Sequence, residues 1–305
     1  MVNVKFQTDS SKKQFTPRTD RPWSRLSVLA LSMALLLTAV LAATVILRKQ
    51  ETAKTVELQR IYGQTSPAST AETSLSSQNT ASQETTMETA PAVVLSPQER
   101  FLPLLDINPD TVGWLRAGYL IDEPVVYRDN DFYLNHNFYG DPSGTGTLFL
   151  DAENTDWMTE PYLVFYGHHL KDGSKFGGLK KYCSLGYVQN DPFVLWDPLY
   201  SDTPETYVVF SVFEASMVEE QEDYFYLRRF EELRTGGSKE LEQLISELRE
   251  RSLLDLPIDV DAEDRIMVLV TCSYGTKDGR LLVCCRKVRQ EETQDELKNA
   301  IKGQP

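Results

Sequence analysis

The chemistry this sequence offers starts from a thiol, an imidazole and a guanidinium in particular places. Cys272 closes an apolar, β-branched run, Ile266 to Thr271 (IMVLVT). The turn-rich Ser273-Tyr274-Gly275-Thr276-Lys277-Asp278-Gly279 follows it, and Arg280 comes eight residues after the cysteine. His168 and His169 follow a second such run, Tyr162 to Tyr166 (YLVFY), and His136 is the remaining one of the chain's 3 histidines. Strand ends and the loops after them present side chains to clefts. A thiol and an imidazole at two strand ends can therefore meet over one sheet rim, the thiol as nucleophile and the imidazole as general acid and base. Taken alone, a cysteine in such a run is more often a small buried hydrophobe. Adjacent residues of an extended segment point to opposite sides, so only one of His168 and His169 can face Cys272. Leu163, Val164 and Phe165 are all apolar, so alternation leaves open which one it is. The same divergence, with no Cys-x-x-Cys pair, disfavours zinc held by both histidines and a cysteine. No metal or other cofactor is expected.

The other cysteines do not build a disulfide scaffold. Cys284 and Cys285 are neighbours on one apolar run (LLVCCRKV, Leu281 to Val288) and Cys183 lies far from them in sequence. Charge excludes another class of partner. The chain has a formal net charge of -14, yet its first 95 residues hold 10 of the 31 Lys and Arg and only 7 of the 45 Asp and Glu. The acidic excess falls on the remainder, and a groove that tracks phosphates needs clustered cations, so no nucleic-acid partner is expected. Lys171, Lys175, Lys180 and Lys181 form a local basic patch that reads as solvated surface.

The elements that must position these side chains occupy only part of the chain. Residues 1–25 form a basic tail, 26–47 an uncharged apolar run, 48–95 a linker rich in Ser and Thr that reads as disordered, 96–292 a segment of globular composition, and 293–305 a polar C-terminal tail. The apolar run has 22 residues; as a helix it would span roughly 33 Å, enough for a hydrocarbon layer of about 30 Å. Secretory signals use shorter apolar regions with a small-x-small cleavage site, which Ala39-Val40-Leu41-Ala42-Ala43 does not supply well. Six Lys and Arg precede the run and four follow it before the linker proper, which places the N-terminus in the cytoplasm and the large segment outside. Ser66 to Ala92 (SPASTAETSLSSQNTASQETTMETAPA) is nearly free of large apolar groups and reads as a disordered tether.

Within 96–292, Ser96 as N-cap, Pro97 and Glu99 predict a short helix to about Asp106, kinked at Pro103. Gly113 to Tyr127, Gly146 to Leu150, Tyr162 to Tyr166, Tyr207 to Phe213, Ile266 to Thr271 and Leu281 to Val288 read as strands. Leu241, Leu244, Ile245 and Leu248 recur at helical spacing between Ser238 and Ser252, a helix in the long connection before the last two strand runs. Few helices separate the strands, so the core is mainly β, an antiparallel barrel or sandwich.

These residues resemble the sortase family. Val268-Leu269-Val270-Thr271-Cys272 is similar to the signature Thr-Leu-x-Thr-Cys, with Val268 in place of the signature threonine. Arg280 falls where the family has its arginine, and Tyr166-Gly167-His168 resembles its histidine segment. Asp110 to Leu115 (DTVGWL), Tyr133 to Gly140 (YLNHNFYG), Tyr166 to Tyr182 (YGHHLKDGSKFGGLKKY) and the helix at 238–252 resemble class B in particular, over about residues 98 to 290. Class B enzymes often carry Ser where this chain has Val270.

The resemblance implies an eight-stranded β-barrel with an N-terminal helix, preceded by one transmembrane helix, on the outer face of a Gram-positive membrane. It implies a cysteine transpeptidase acting on secreted proteins that bear a C-terminal sorting signal. Cys272 would form a thioester after the signal's Thr. His168, directly after Tyr-Gly, would be the acid and base, and Arg280 would donate to the substrate backbone or oxyanion. Thr271, Ser273 and Tyr166 would contact substrate. The acceptor would be an amine of a peptidoglycan peptide or its lipid-linked precursor. Two other readings are open on the residues alone. One is a membrane-anchored thiol peptidase, although papain-like enzymes place Cys before His and caspase-like ones use a helix-covered parallel sheet. The other is a non-catalytic wall-binding module using Trp114, Tyr133, Phe138 and Tyr139, aromatics that more often build a core. Leu281 to Pro305 lacks a sorting signal with an apolar tail, which speaks against a sorted surface protein.

Overall fold

The β-branched and aromatic runs become strands in the computed structural model, which describes residues 25–65, 95–273 and 278–303. The strands are β1 (Thr111–Ala117), β2 (Ile121–Val126), β3 (Leu148–Leu150), β4 (Tyr162–Tyr166), β5 (Phe193–Pro198), β6 (Glu205–Ser216), β7 (Ile266–Cys272) and β8 (Gly279–Lys287). They close into a barrel in the order β1-β2-β3-β4-β7-β8-β6-β5, with β5 returning to β1. Closure leaves no edge strand with unpaired backbone groups. Most pairs are antiparallel as expected, but β2–β3 and β4–β7 run parallel. A parallel pair needs a long crossover, and the one from β4 to β7 contains β5, β6 and three α-helices, α3 (Leu185–Asn190), α4 (Phe230–Gly236) and α5 (Ser238–Glu250). Leu241, Leu244, Ile245 and Leu248 of α5 are all buried, as their spacing predicts. β4 and β7 are buried along nearly their whole length on both faces, which explains their unbroken apolar sequence.

The chain divides into two units, Met1–Thr52 and Ala53–Pro305. Helix α1 (Arg25–Thr65) contributes to both. In the first unit its apolar side chains from Val28 to Leu47 are exposed, Met33 at 73% and Leu37 at 71%. The stretch Val28–Gln64 is long and apolar enough to cross a membrane. In the second unit, Leu58 and Tyr62 of α1 are buried. The Tyr62 ring stacks on Trp114 at 4.3 Å between centroids, and its hydroxyl donates to Asp197. Arg100 grips the same buried carboxylate through Nε (2.8 Å) and Nη2 (2.6 Å).

Three expectations need correction. Residues 48–65 are helical, not part of a disordered linker, because Leu58 and Tyr62 supply an apolar face that the barrel buries; the expected tether at Ser66 to Ala92 and most of the expected basic tail at 1–25 lie outside the described residues. The segment at 293–305 is not a simple polar tail: α6 (Gln294–Lys302) starts from a capping box made by Thr293 and Glu296 and buries Leu297 and Ile301, with α3 (Leu185–Asn190) packed beside it. Ser96 does not cap a helix. The chain makes a 3-10 turn at Glu99–Phe101 and then α2 (Leu102–Ile107), whose first turn holds Pro103, so this proline starts the helix and does not kink it.

Candidate active site

Parallel pairing brings the histidine segment beside the cysteine. Tyr166 of β4 faces Val270 of β7, the Gly167 amide donates to the Val270 carbonyl (3.2 Å), and the Thr271 hydroxyl donates to the Gly167 carbonyl (2.7 Å). The chain past β4 therefore runs alongside the end of β7, where Cys272 sits half-buried. On the other side of β7, Cys272 is cross-strand partner to Arg280 of β8. His168, Cys272 and Arg280 thus come from three neighbouring strand positions and line one cleft of about 440 Å³, together with Asn130, Leu134, Phe149, Tyr166, Gly167, Arg228, Val270 and Thr271.

The two histidines divide as extended geometry requires. His168 lines the cleft and its Nε2 lies 2.6 Å from the Leu134 carbonyl. A carbonyl only accepts, so this contact assigns the ring proton to Nε2 and leaves Nδ1 as the open nitrogen. His169 is not among the lining residues; its Nδ1 lies 2.8 Å from the Cys272 carbonyl, where it braces the strand end. Two glycines make the approach possible. Gly146 has φ +61, and a Cβ there would lie 2.7 Å from the Tyr133 carbonyl and 2.9 Å from His168 Cδ2. A Cβ on Gly167 would lie 2.5 Å from Leu148 Cδ2 and 2.7 Å from Phe176 Cγ.

Arg280 donates through Nη1 to the Gly279 (3.0 Å) and Asp278 (3.3 Å) carbonyls and makes no ion pair among the described residues. Its charge is therefore not already matched by a carboxylate. Thr271 is buried, and its hydroxyl ties two strands together. Ser273 adjoins Cys272, its amide bonded to the Gly279 carbonyl (2.8 Å), but it does not line the cleft. Tyr166 lines the cleft with its ring, which stacks on Phe149 at 5.2 Å, while its hydroxyl donates to Asp151 (2.8 Å). Burial first, and then the Asp151 carboxylate, push this phenol far above its usual range, so it remains a neutral donor.

Sequence reasoning missed Asn130, Leu134, Phe149 and Arg228 as cleft residues. They come from the connection between β2 and β3, from β3 itself and from the connection between β6 and α4, and no local motif joins them. The lysine patch does not line the cleft: Lys175 pairs with Glu123 and Lys181 donates to the Tyr119 hydroxyl (2.6 Å). Trp114, Tyr133 and Phe138 are buried and serve the core. All four cysteines are free, and burial raises the Cys284 and Cys285 thiols well above their usual range.

No family model matches the chain. Among curated proteins it is similar to Sortase B of Listeria monocytogenes, 29% identical over 184 residues that cover 59% of this chain and 70% of that protein. It is also similar to Sortase B of Staphylococcus aureus, 26% identical over 194 residues, 62% of this chain and 75% of that one. A crystal structure of sortase B from B. anthracis in complex with AAEK2 matches with a TM-score of 0.60 at 26% identity, covering 80% of this chain and 98% of the other. The closed eight-stranded barrel is the sortase fold. Within that fold the chain is a homologue of the class B sortases.

Proposed function

We propose that this chain is a membrane-anchored cysteine transpeptidase that cleaves the C-terminal sorting signal of secreted proteins after Thr and joins the protein to a cell-wall peptide amine. The observation that carries the reading is the convergence of Cys272, His168 and Arg280, from neighbouring strands, on one cleft. With the thiol proton held on His168 Nδ1, the Cys272 thiolate attacks the Thr carbonyl carbon, and the developing oxyanion takes hydrogen bonds from the Arg280 guanidinium. His168 gives that Nδ1 proton to the departing amine, the C–N bond breaks, and a thioester to Cys272 remains. An amine of a peptidoglycan peptide or its lipid-linked precursor then attacks the thioester, loses its proton to His168, and releases the thiolate.

The exposed apolar run from Val28 to Leu47, within the helix stretch long and apolar enough to cross a membrane, supports anchoring in the cell membrane. On the excess of basic residues before it, the N-terminus is cytoplasmic and the barrel extracellular, with residues 66–92 as tether. Both substrates arise at that surface, where tethering raises effective concentration. The test is a panel of candidate sorting peptides, incubated with and without candidate wall amines and followed by mass spectrometry. Expected are a thioester on Cys272 and an amine-dependent ligated product, with both lost in Cys272→Ala while the variant stays folded. Cleavage by a folded Cys272→Ala protein would end this reading, and cleavage that no amine diverts would make the chain a peptidase.

A further inference from the structure

One wall of the cleft is organised by a buried carboxylate that the mechanism above does not use. Asp151 follows β3 directly and is 0% exposed. Its Oδ2 accepts from the Tyr166 hydroxyl (2.8 Å) and Arg228 Nε (3.0 Å). Its Oδ1 accepts from Arg228 Nη2 (3.2 Å), Asn130 Nδ2 (3.3 Å) and the Glu153 amide (2.9 Å). Tyr166, Arg228 and Asn130 all line the cleft, and they reach Asp151 from three different parts of the chain. A buried carboxylate without such donors would be strongly disfavoured, so the charge and its donors hold one another in place.

Arg228 is the member of this set with capacity left over. Its side chain is 45% exposed, and Nε and Nη2 are taken by Asp151 and by Glu153 Oε1 (2.7 Å). Nη1, with two N–H groups, has no partner among the described residues. The cluster of one guanidinium and two carboxylates has no surplus positive charge, so it does not suit an acidic ligand. It suits a neutral oxygen acceptor, which gains a charge-assisted hydrogen bond without adding a third carboxylate.

We propose that Asp151 is a positioning residue and Arg228 a specificity-determining one: the buried carboxylate aims the open Nη1 edge of Arg228 into the cleft, where it donates to a carbonyl oxygen of the bound sorting peptide. This deepens the transpeptidase reading and rests on it. The contact lies on the β3 side of the cleft, apart from the β7–β8 hairpin that carries Cys272 and Arg280. It contributes to peptide binding equally before and during bond breaking, and a contact of that kind shows in KM more than in kcat.

The experiment uses full-length protein in detergent micelles and, as probe, the peptide of the panel that the wild-type chain cleaves fastest. Arg228→Ala, Arg228→Lys and Asp151→Asn are compared for KM, kcat and the rate at which iodoacetamide alkylates Cys272. Losing one hydrogen bond to a charged group raises KM by roughly tenfold or more, and Arg228→Ala should do this with kcat and the alkylation rate within about threefold of wild type. Arg228→Lys should not restore KM, since an ammonium cannot grip both Asp151 oxygens and keep an outward donor edge. Asp151→Asn should match Arg228→Ala, and the double variant should be no worse than either, because the two side chains act as one unit. If Asp151→Asn melts below assay temperature, the two Arg228 variants decide alone. A KM within twofold of wild type in Arg228→Ala, full rescue by Lys, or a loss confined to kcat with altered alkylation would each overturn the proposal. A wild-type chain that forms no thioester with any peptide overturns the transpeptidase reading instead, and this inference falls with it.

Discussion

His168 and His169 are neighbours with different work, and they can be separated by substitution. His168 faces the cleft with Nδ1 open, whereas His169 reaches the Cys272 carbonyl. His168→Ala should lower transpeptidation by at least about 10²-fold, the usual cost of removing a general acid and base. His169→Ala should retain most activity and lose a little stability. Initial rates of purified variants on one cleavable peptide check this, and the reverse ranking would move the acid and base role to His169. Arg280→Lys should also be far from conservative, because an ammonium cannot cover two acceptors as a planar fork does. A turnover near wild type in that variant would reduce Arg280 to generic positive charge. These three side chains were legible as candidates because each sits in a short pattern at a strand end, with the resemblance and not the alternation choosing His168 over His169. Asp151 and Arg228 were not: 77 positions separate them, and only the closed barrel makes them partners.

Strand β5 shows why other elements escaped the sequence. Its residues FVLWDP carry Asp197 and Pro198 in a short run, and only burial against Tyr62 and Arg100 gives that aspartate a reason to be in a strand. The parallel register of β4 with β7, which sets the site, was equally hidden, since antiparallel and parallel strands buried on both faces read alike. The capped helix α6 was taken for a tail because its apolar contribution is just Leu297 and Ile301. The link between β8 and α6 is testable through Glu292. Its carboxylate meets fully buried Arg286 through Nη1 and Nη2, the latter at 2.8 Å, and the Arg286 hydrogen bond holds its carboxyl below the usual glutamate range. A depressed carboxyl stabilises the fold above its ordinary pKa of about 4.3, and that stabilisation is lost as pH falls through the folded value. Glu292→Gln should therefore cost about 2 kcal/mol at neutral pH, from a buried guanidinium short of its partner. The gap from wild type should close in acid. Urea unfolding at pH 7 and pH 3 reads both, and an equal gap at the two pH values would show that the ion pair carries none of the acid sensitivity.

At the scale of the whole molecule, the second unit is more than a barrel, because Ala53–Thr65 of α1 is part of its structure. Leu58 and Tyr62 are buried, Lys54 pairs with Asp141 (2.9 Å), and Gln59 donates to the Asp122 carbonyl (2.9 Å). Burying each large side chain is worth about 1.5 to 3 kcal/mol, and docking also supplies the Tyr62 hydroxyl to the carboxylate that Arg100 grips. Against this stands the entropy of closing the chain between Thr65 and Leu95, which grows only slowly with loop length. The balance favours a docked helix. A chain beginning at Ala53 should therefore be about 3 kcal/mol more stable than one beginning at Leu95, and Tyr62→Ala in the longer chain should remove a large share of that difference. The contact reaches the site as well, because Lys54 holds Asp141 in the same β2–β3 connection whose Leu134 carbonyl accepts from His168. The shorter chain should accordingly show a slower cleavage rate even below its melting temperature. Urea midpoints and peptide-cleavage rates of the three proteins test this together. Equal midpoints would mean that the helix rests on the barrel without stabilising it. Equal rates despite unequal midpoints would confine its effect to stability.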